Sequence, residues 1–115
     1  MRVIRVFVYG TLRRGGRGNR LLRGCRFLAD ATTDPAFELV DMGPYPGLVV
    51  GGAVAVRGEI WEVPIALLAE LDAYEGEEYA RVAIRLSDGS QAQAWVMHAH
   101  HAEGRPRIAT GECRR

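Results

Sequence analysis

Residues 64–75 set a carboxylate where a folded chain must account for it. Pro64 suits a first helical position and Gly76 suits a helix stop, so the segment is predicted to be helical. With Leu67 at 0° and ~100° per residue, Leu71 falls at about 40°, Tyr74 at about 340° and Leu68 at about 100°. These form one apolar stripe, and Glu75, at about 80°, falls inside it. A carboxylate aimed at a core is costly unless it is paired, hydrogen-bonded or protonated. A helix C-terminus raises its pKa further. Such a group is suited to moving protons near neutral pH. Two plainer readings stand beside this one: an ion pair with Arg81, or a side chain fraying outward at the helix end. Glu70, Asp72, Glu77 and Glu78 have easier routes to water.

The second feature is the run Val8-Tyr9-Gly10-Thr11-Leu12-Arg13, where a strand-like segment breaks into a turn. Gly10 lets the backbone approach a ligand closely, and successive N–H groups in a turn can hold an anion. On the plain reading it is an ordinary tight turn with Tyr9 as a core aromatic.

Several elements must position these two features. Residues 2–9 are β-branched and aromatic and predict a strand covered on both faces. Residues 13–18 form a Gly/Arg loop, after which Asn19 is predicted to cap a short helical turn through Leu21 and Leu22. Strands are expected near 26–32, 37–41 and 47–50, with a longer one over 53–63. Pro35 and the run Gly43-Pro44-Tyr45-Pro46-Gly47 mark turns. Ser87-Asp88-Gly89-Ser90 joins strands 79–86 and 91–98 into a hairpin. The tail from Ala99 is weakly patterned.

A chain of 115 residues suits one domain, 1–115, and its 48% hydrophobic and 25% charged content excludes disorder, collagen and a disulfide-dense scaffold. No apolar run approaches the ~20 residues of a membrane-spanning helix, and no signal-peptide pattern is present. With Cys25 and Cys113 as free thiols, a cytoplasmic location is expected. All 15 basic residues are Arg. Eight precede the first acid, Asp30, whereas residues 30–103 hold 13 acids and three Arg. Such asymmetry fits either a nucleic-acid patch or two parts of one fold joined by ion pairs.

Four ordered blocks resemble the γ-glutamylcyclotransferase-like family, which includes γ-glutamylamine cyclotransferases and small AIG2-like bacterial proteins. They are Val8-Tyr9-Gly10-Thr11-Leu12-Arg13 with Gly15, Gly16 and Asn19; Pro44-Tyr45-Pro46-Gly47-Leu48; Val56-Arg57-Gly58-Glu59-Ile60-Trp61-Glu62-Val63; and Leu71-Asp72-Ala73-Tyr74-Glu75-Gly76 with Tyr79 and Arg81. The resemblance implies an α+β fold, a small closed, mixed but largely antiparallel β-barrel flanked by helices. It places the catalytic acid/base at Glu75, the residue the helical wheel reaches separately. It also implies that Tyr9, Gly10, Thr11 and Leu12 grip a γ-glutamyl group, with Tyr79 orienting the glutamate or the substrate through its hydroxyl. Without the resemblance, Tyr79 reads as an ordinary core aromatic. The implied reaction is intramolecular: the α-amine attacks the γ-carbonyl, closing 5-oxoproline and expelling an amine. It calls for a small-molecule γ-glutamyl substrate, no metal and no organic cofactor. The family often ends in a Gly-acid-aromatic-Arg pattern, and here Gly111-Glu112-Cys113-Arg114 puts Cys113 in the aromatic place.

Three other readings compete. Residues 13–20 resemble an RGG-type segment, but a net charge of +1 and the lack of an interleaved aromatic disfavour nucleic acid as a partner. His98-Ala99-His100-His101 invites a metal reading, although Cys25 and Cys113 lack a zinc-site spacing and an exposed tail is the simpler expectation. A non-catalytic, small-molecule-binding relative of the fold is the third. The sequence assigns no oligomeric state.

Overall fold

The computed structural model describes residues 2–113, so Arg114 of the terminal pattern lies outside the described residues. Seven strands form one mixed sheet: β1 (Val3–Val8), β2 (Arg26–Thr32), β3 (Phe37–Asp41), β4 (Pro46–Val50), β5 (Arg57–Pro64), β6 (Tyr79–Arg85) and β7 (Gln91–Met97). One α-helix, α1 (Leu68–Glu75), lies between β5 and β6. Short 3-10 turns occupy Asn19–Leu22, Ile65–Leu67 and Ala99–Ala102. Among the described residues, no helix is long and apolar enough to cross a membrane.

The run of apolar residues in β1 reflects burial on both faces, as its composition predicts. Phe7 joins a core with Tyr9, Leu39, Leu48, Ile60 and Ile84, while Val6 and Val8 join a second with Leu22, Trp61, Leu71 and Trp95. The side-chain period of 2 sends alternate residues to opposite faces. The helix packs over the second core through Leu68 and Leu71, both buried.

The topology makes a fork. The strand order is β2-β5-β1-β7-β4-β3, and β6 pairs with β7 along its whole length. The other edge of β7 is therefore shared: it runs parallel to β1 at Gln93 and parallel to β4 at Val96. Where β7 changes partner, β1 and β4 diverge and a gap opens at the C-terminal end of β1.

The mixed, largely antiparallel α+β architecture is as expected, but the closed barrel is corrected: the sheet is open. The far strands β2 and β6 meet only at their ends, through a bridge from Thr33 to Leu86 flanked by hydrogen bonds from Asp34 N to Arg85 O and from Ser87 N to Thr32 O. A register shift between Phe27 and Ala29 bends β2, and Ala29, Asp30, Val82 and Ala83 face solvent in place of a partner strand.

Three local expectations also shift. Pro64 does not open the helix; it ends β5 opposite Val3, with ψ of 140°, and Ile65 N–H donates to Arg2 O. Sheet pairing thus reaches one residue past Pro64 and delays the helix to Leu68. Gly76 does terminate α1, with φ of 85°. Asn19 makes no helix cap; its side-chain amide donates to Leu12 O at 2.8 Å and ties down the preceding loop. The strand expected over 53–63 begins only at Arg57, because Val54 bridges to Phe37 and the Val56 carbonyl accepts from Thr33. The weakly patterned tail is held in place: Ile108 N–H donates to Leu39 O, Arg57 N–H donates to Gly111 O, and Cys113 is buried.

Candidate active site

The fork between β1 and β4 opens into a cavity of about 350 Å³, in the ~300–1,000 Å³ range of small-ligand sites. The turn after β1, residues 9–12, lines it, and so do Glu75, Glu78 and Tyr79. Tyr45, Pro46, Tyr74 and Trp95 complete it, with Arg17 on the rim. All six residues singled out from the sequence, Tyr9, Gly10, Thr11, Leu12, Glu75 and Tyr79, line this one cavity.

Tyr9 fills the fork itself. Its hydroxyl donates to Trp95 O at 2.7 Å and accepts from Leu48 N–H at 3.1 Å, joining the three diverging strands at one atom. Burial, together with Tyr79 and Glu75 nearby, raises its pKa well above the ordinary phenol value, so it stays a neutral donor.

The turn is fixed by its own backbone. Arg13 N–H donates to Gly10 O at 3.1 Å, and Gly18 N–H donates to Thr11 O at 2.9 Å. The N–H groups of Gly10, Thr11 and Leu12 have no hydrogen-bond partner among the described residues. Three adjacent donors of this kind beside a cavity have the chemistry to hold an anion. Gly10 is required by packing rather than by dihedral angle, because a Cβ there would meet Pro46 Cγ and Cδ at 2.8 Å. Pro46 is held in turn by Tyr79, whose hydroxyl donates to Pro46 O at 2.6 Å. The Tyr79 hydroxyl therefore acts on the cavity wall. Its pKa is raised by burial and then by the charges of Glu75, Tyr45 and Glu78. Gly10→Ala is expected to displace the rigid Pro46 ring and lower the unfolding free energy by about 1–3 kcal/mol, as overpacking does, measured by urea titration.

The last turn of α1 holds two acids in opposite environments. Asp72 accepts from Arg81 Nε at 2.9 Å and from Trp95 Nε1 at 2.8 Å, and the Arg81 bond chiefly lowers its pKa. Arg81, the partner suggested for Glu75, is thus engaged by Asp72. Glu75 has no cation and no hydrogen-bond partner among the described residues. It is half-buried and lines the cavity, and burial raises its pKa from 4.5 to about 7. At neutral pH it exchanges a proton with nearly equal ease in either direction.

Other cavity residues were hidden in the sequence. Tyr74, which reads as part of the apolar stripe, shares a 2.7 Å hydrogen bond with Thr11 Oγ1 and so links α1 to the turn. Glu78, which reads as solvated, accepts from the Tyr45 hydroxyl at 2.6 Å and lies 3.9 Å from His101 Nδ1. Tyr45 and Pro46 read only as part of a turn and of a family-like block, with nothing to place them at the site. The three histidines cluster beside it, with the His100 and His101 rings tilted and their centroids 4.1 Å apart. Arg13 and Arg14 of the Gly/Arg loop are bound within the protein: Arg13 to the Cys113 carbonyl and Glu112, Arg14 to Glu59 and Asp30.

A family model described as Gamma-glutamyl cyclotransferase, AIG2-like matches residues 6–115. The chain is 36% identical to the Gamma-glutamylcyclotransferase family protein YtfP of Escherichia coli over 112 residues, covering 95% of each. Among solved structures, a uropathogenic E. coli-specific protein superposes with a TM-score of 0.91 at 30% identity, covering 97% of this chain and 93% of that one. An AIG2-like protein from mouse superposes with a TM-score of 0.78 at 25% identity, covering 95% and 88%.

Proposed function

Because the chain belongs to the γ-glutamyl cyclotransferase, AIG2-like family, we propose that it closes the γ-glutamyl group of an amine or amide to 5-oxoproline and sets the amine free. The observation that carries this reading is the placement of Glu75. It is an unpaired carboxylate with a pKa of about 7, lining one small cavity together with the turn that carries three unpartnered N–H groups.

The substrate already carries its own nucleophile, so the site needs to hold the folded conformer in which the α-nitrogen meets the γ-carbonyl. The Gly10, Thr11 and Leu12 N–H groups suit the anionic end of the γ-glutamyl group, with the Arg17 guanidinium adding positive field at the rim. Ionised Glu75 takes a proton from the α-ammonium, and the freed amine attacks the γ-carbonyl carbon to form a C–N bond. As the tetrahedral centre collapses, the bond to the leaving nitrogen breaks and Glu75 returns a proton to that nitrogen. The freed Glu75 carboxylate then relays the second proton from the new ring nitrogen to the departing amine, so two protons leave the α-nitrogen, two arrive on the leaving amine, and the reaction balances without a cofactor. A second carboxylate is not needed, because one group with a pKa near neutrality serves as base and then as acid.

The test is 5-oxoproline release from a panel of γ-glutamyl amines, γ-glutamyl amino acids and glutathione. Release from at least one is expected. A folded protein that releases none, yet binds a γ-glutamyl compound, would be a binding-only member and would end the catalytic reading.

A further inference from the structure

Glu59 lies on β5, outside the cavity lining, and is 6% exposed. Its carboxylate receives three hydrogen bonds. The Arg14 main-chain N–H and Trp61 Nε1 each donate to Oε1 at 3.0 Å, and Arg14 Nε donates to Oε2 at 3.0 Å. The Arg14 guanidinium lies 3.8 Å over the Phe27 ring and donates to Asp30 at 2.9 Å. Burial alone pushes the Glu59 pKa up. The bonds from the Arg14 main chain, Trp61 and the Arg14 side chain outweigh that and hold it below the ordinary value, so the group stays charged.

A buried carboxylate is costly unless its bonds are well made. Here two of the three bonds converge on a single residue of the loop, one on its backbone and one on its side chain. That residue sits two positions after Leu12, directly behind the turn closed by Arg13 N–H and Gly10 O. On the neighbouring residue, the Arg13 guanidinium reaches the Cys113 carbonyl and pins the turn to the C-terminal segment. The loop, with five glycines and arginines among residues 13–17, has little intrinsic rigidity of its own.

We propose that Glu59 is a positioning residue: by holding the Arg14 main chain against β5, it keeps the unpartnered N–H groups of Gly10, Thr11 and Leu12 aimed into the cavity. Ligand affinity then depends on a carboxylate that does not touch the ligand. The identity of that ligand rests on the cyclotransferase reading; the clamp itself does not.

The experiment compares wild type, Glu59→Gln and Glu59→Ala. Gln keeps an oxygen for the Arg14 N–H, whereas Ala removes every bond. Backbone 15N order parameters at residues 10–12 are measured alongside the affinity for 5-oxoproline. In wild type, values near ~0.85 are expected for residues 10–12, falling below ~0.6 in Glu59→Ala and to intermediate values in Glu59→Gln, while Val6–Val8 remain rigid. The dissociation constant for 5-oxoproline is expected to rise at least tenfold in Glu59→Ala and less in Glu59→Gln. Loosening confined to residues 10–12 in Glu59→Ala, together with a wild type that binds no 5-oxoproline, would uphold the clamp and count against the cyclotransferase reading. Unchanged order parameters, loosening spread evenly through β1, or a mobile turn with unchanged 5-oxoproline affinity would overturn the proposal. Glu59→Gln replaces the buried charge with an isosteric neutral group, so it keeps the test open if Glu59→Ala fails to fold.

Discussion

Glu75→Gln is expected to lose about 10²- to 10⁴-fold in kcat/KM for release of 5-oxoproline, the usual contribution of a positioned acid/base, and to become more stable at alkaline pH. The two effects share one cause. Burial raises the folded-state pKa of Glu75 from 4.5 to about 7, so the folded protein binds this proton more tightly than the unfolded chain does. Below pH 4.5 both states are protonated and Glu75 costs nothing. As pH rises the cost grows, and above pH 7 it is fully present, because both states are ionised and the folded one lacks solvation or a partner for the charge. A shift of this size corresponds to an upper value of about 3 kcal/mol. Since the carboxylate still sees water through the cavity, a gain on the order of 1–3 kcal/mol is expected for Glu75→Gln at pH 8. Urea unfolding of both proteins at pH 4 and pH 8 measures it. A Gln variant less stable than wild type at pH 8 would mean that the Glu75 charge has a partner in solution.

Tyr9→Phe is expected to lower the unfolding free energy by about 1–3 kcal/mol, since it removes two buried hydrogen bonds at once. The Tyr9 hydroxyl is the one atom that bonds both Leu48 N–H on β4 and Trp95 O on β7. It sits where the sheet splits, beside the single parallel pairing of Leu48 with Val96 that joins β4 to β7. Phe fills the same volume, so the loss isolates the hydrogen bonds from the packing. The cavity is built on that fork, so binding of 5-oxoproline is expected to weaken as well. A loss below about 0.5 kcal/mol would show that water replaces the hydroxyl and that the fork does not depend on it.

Local signals carried much of the site. Glu75 was legible because a helix repeats every 3.6 residues and a carboxylate within an apolar stripe is a physical anomaly wherever it occurs. The hairpin at Ser87–Ser90 and the two-sided burial of β1 are likewise written in neighbouring residues. The rest depends on contacts between distant parts of the chain. Tyr9 and Trp95 are 86 positions apart, and nothing near either one says that β7 changes partner between them. Tyr74 reads as a core residue because its ring is apolar, and only its hydroxyl contact to Thr11 reveals the link to the turn. Glu59 reads as one acid of a strand, yet Arg14, 45 residues earlier, makes it a clamp. The Arg asymmetry left open both a nucleic-acid patch and internal ion pairs. Arg14 with Glu59 and Asp30, and Arg107 with Glu38, supply ion pairs of the second kind. Closure of the sheet was read from the resemblance, and the register shift in β2 has no sequence marker.

The most direct test of the central claim is the pH dependence of kcat/KM for 5-oxoproline release, measured for wild type and Glu75→Gln on the best substrate of the panel. The wild-type profile is expected to rise through an apparent pKa near 7, the value of the free enzyme's base, and the residual rate of Glu75→Gln is expected to lack that limb. A wild-type limb near 4.5, or a Glu75→Gln profile that keeps the limb at an undiminished rate, would contradict the assignment of Glu75 as the proton carrier.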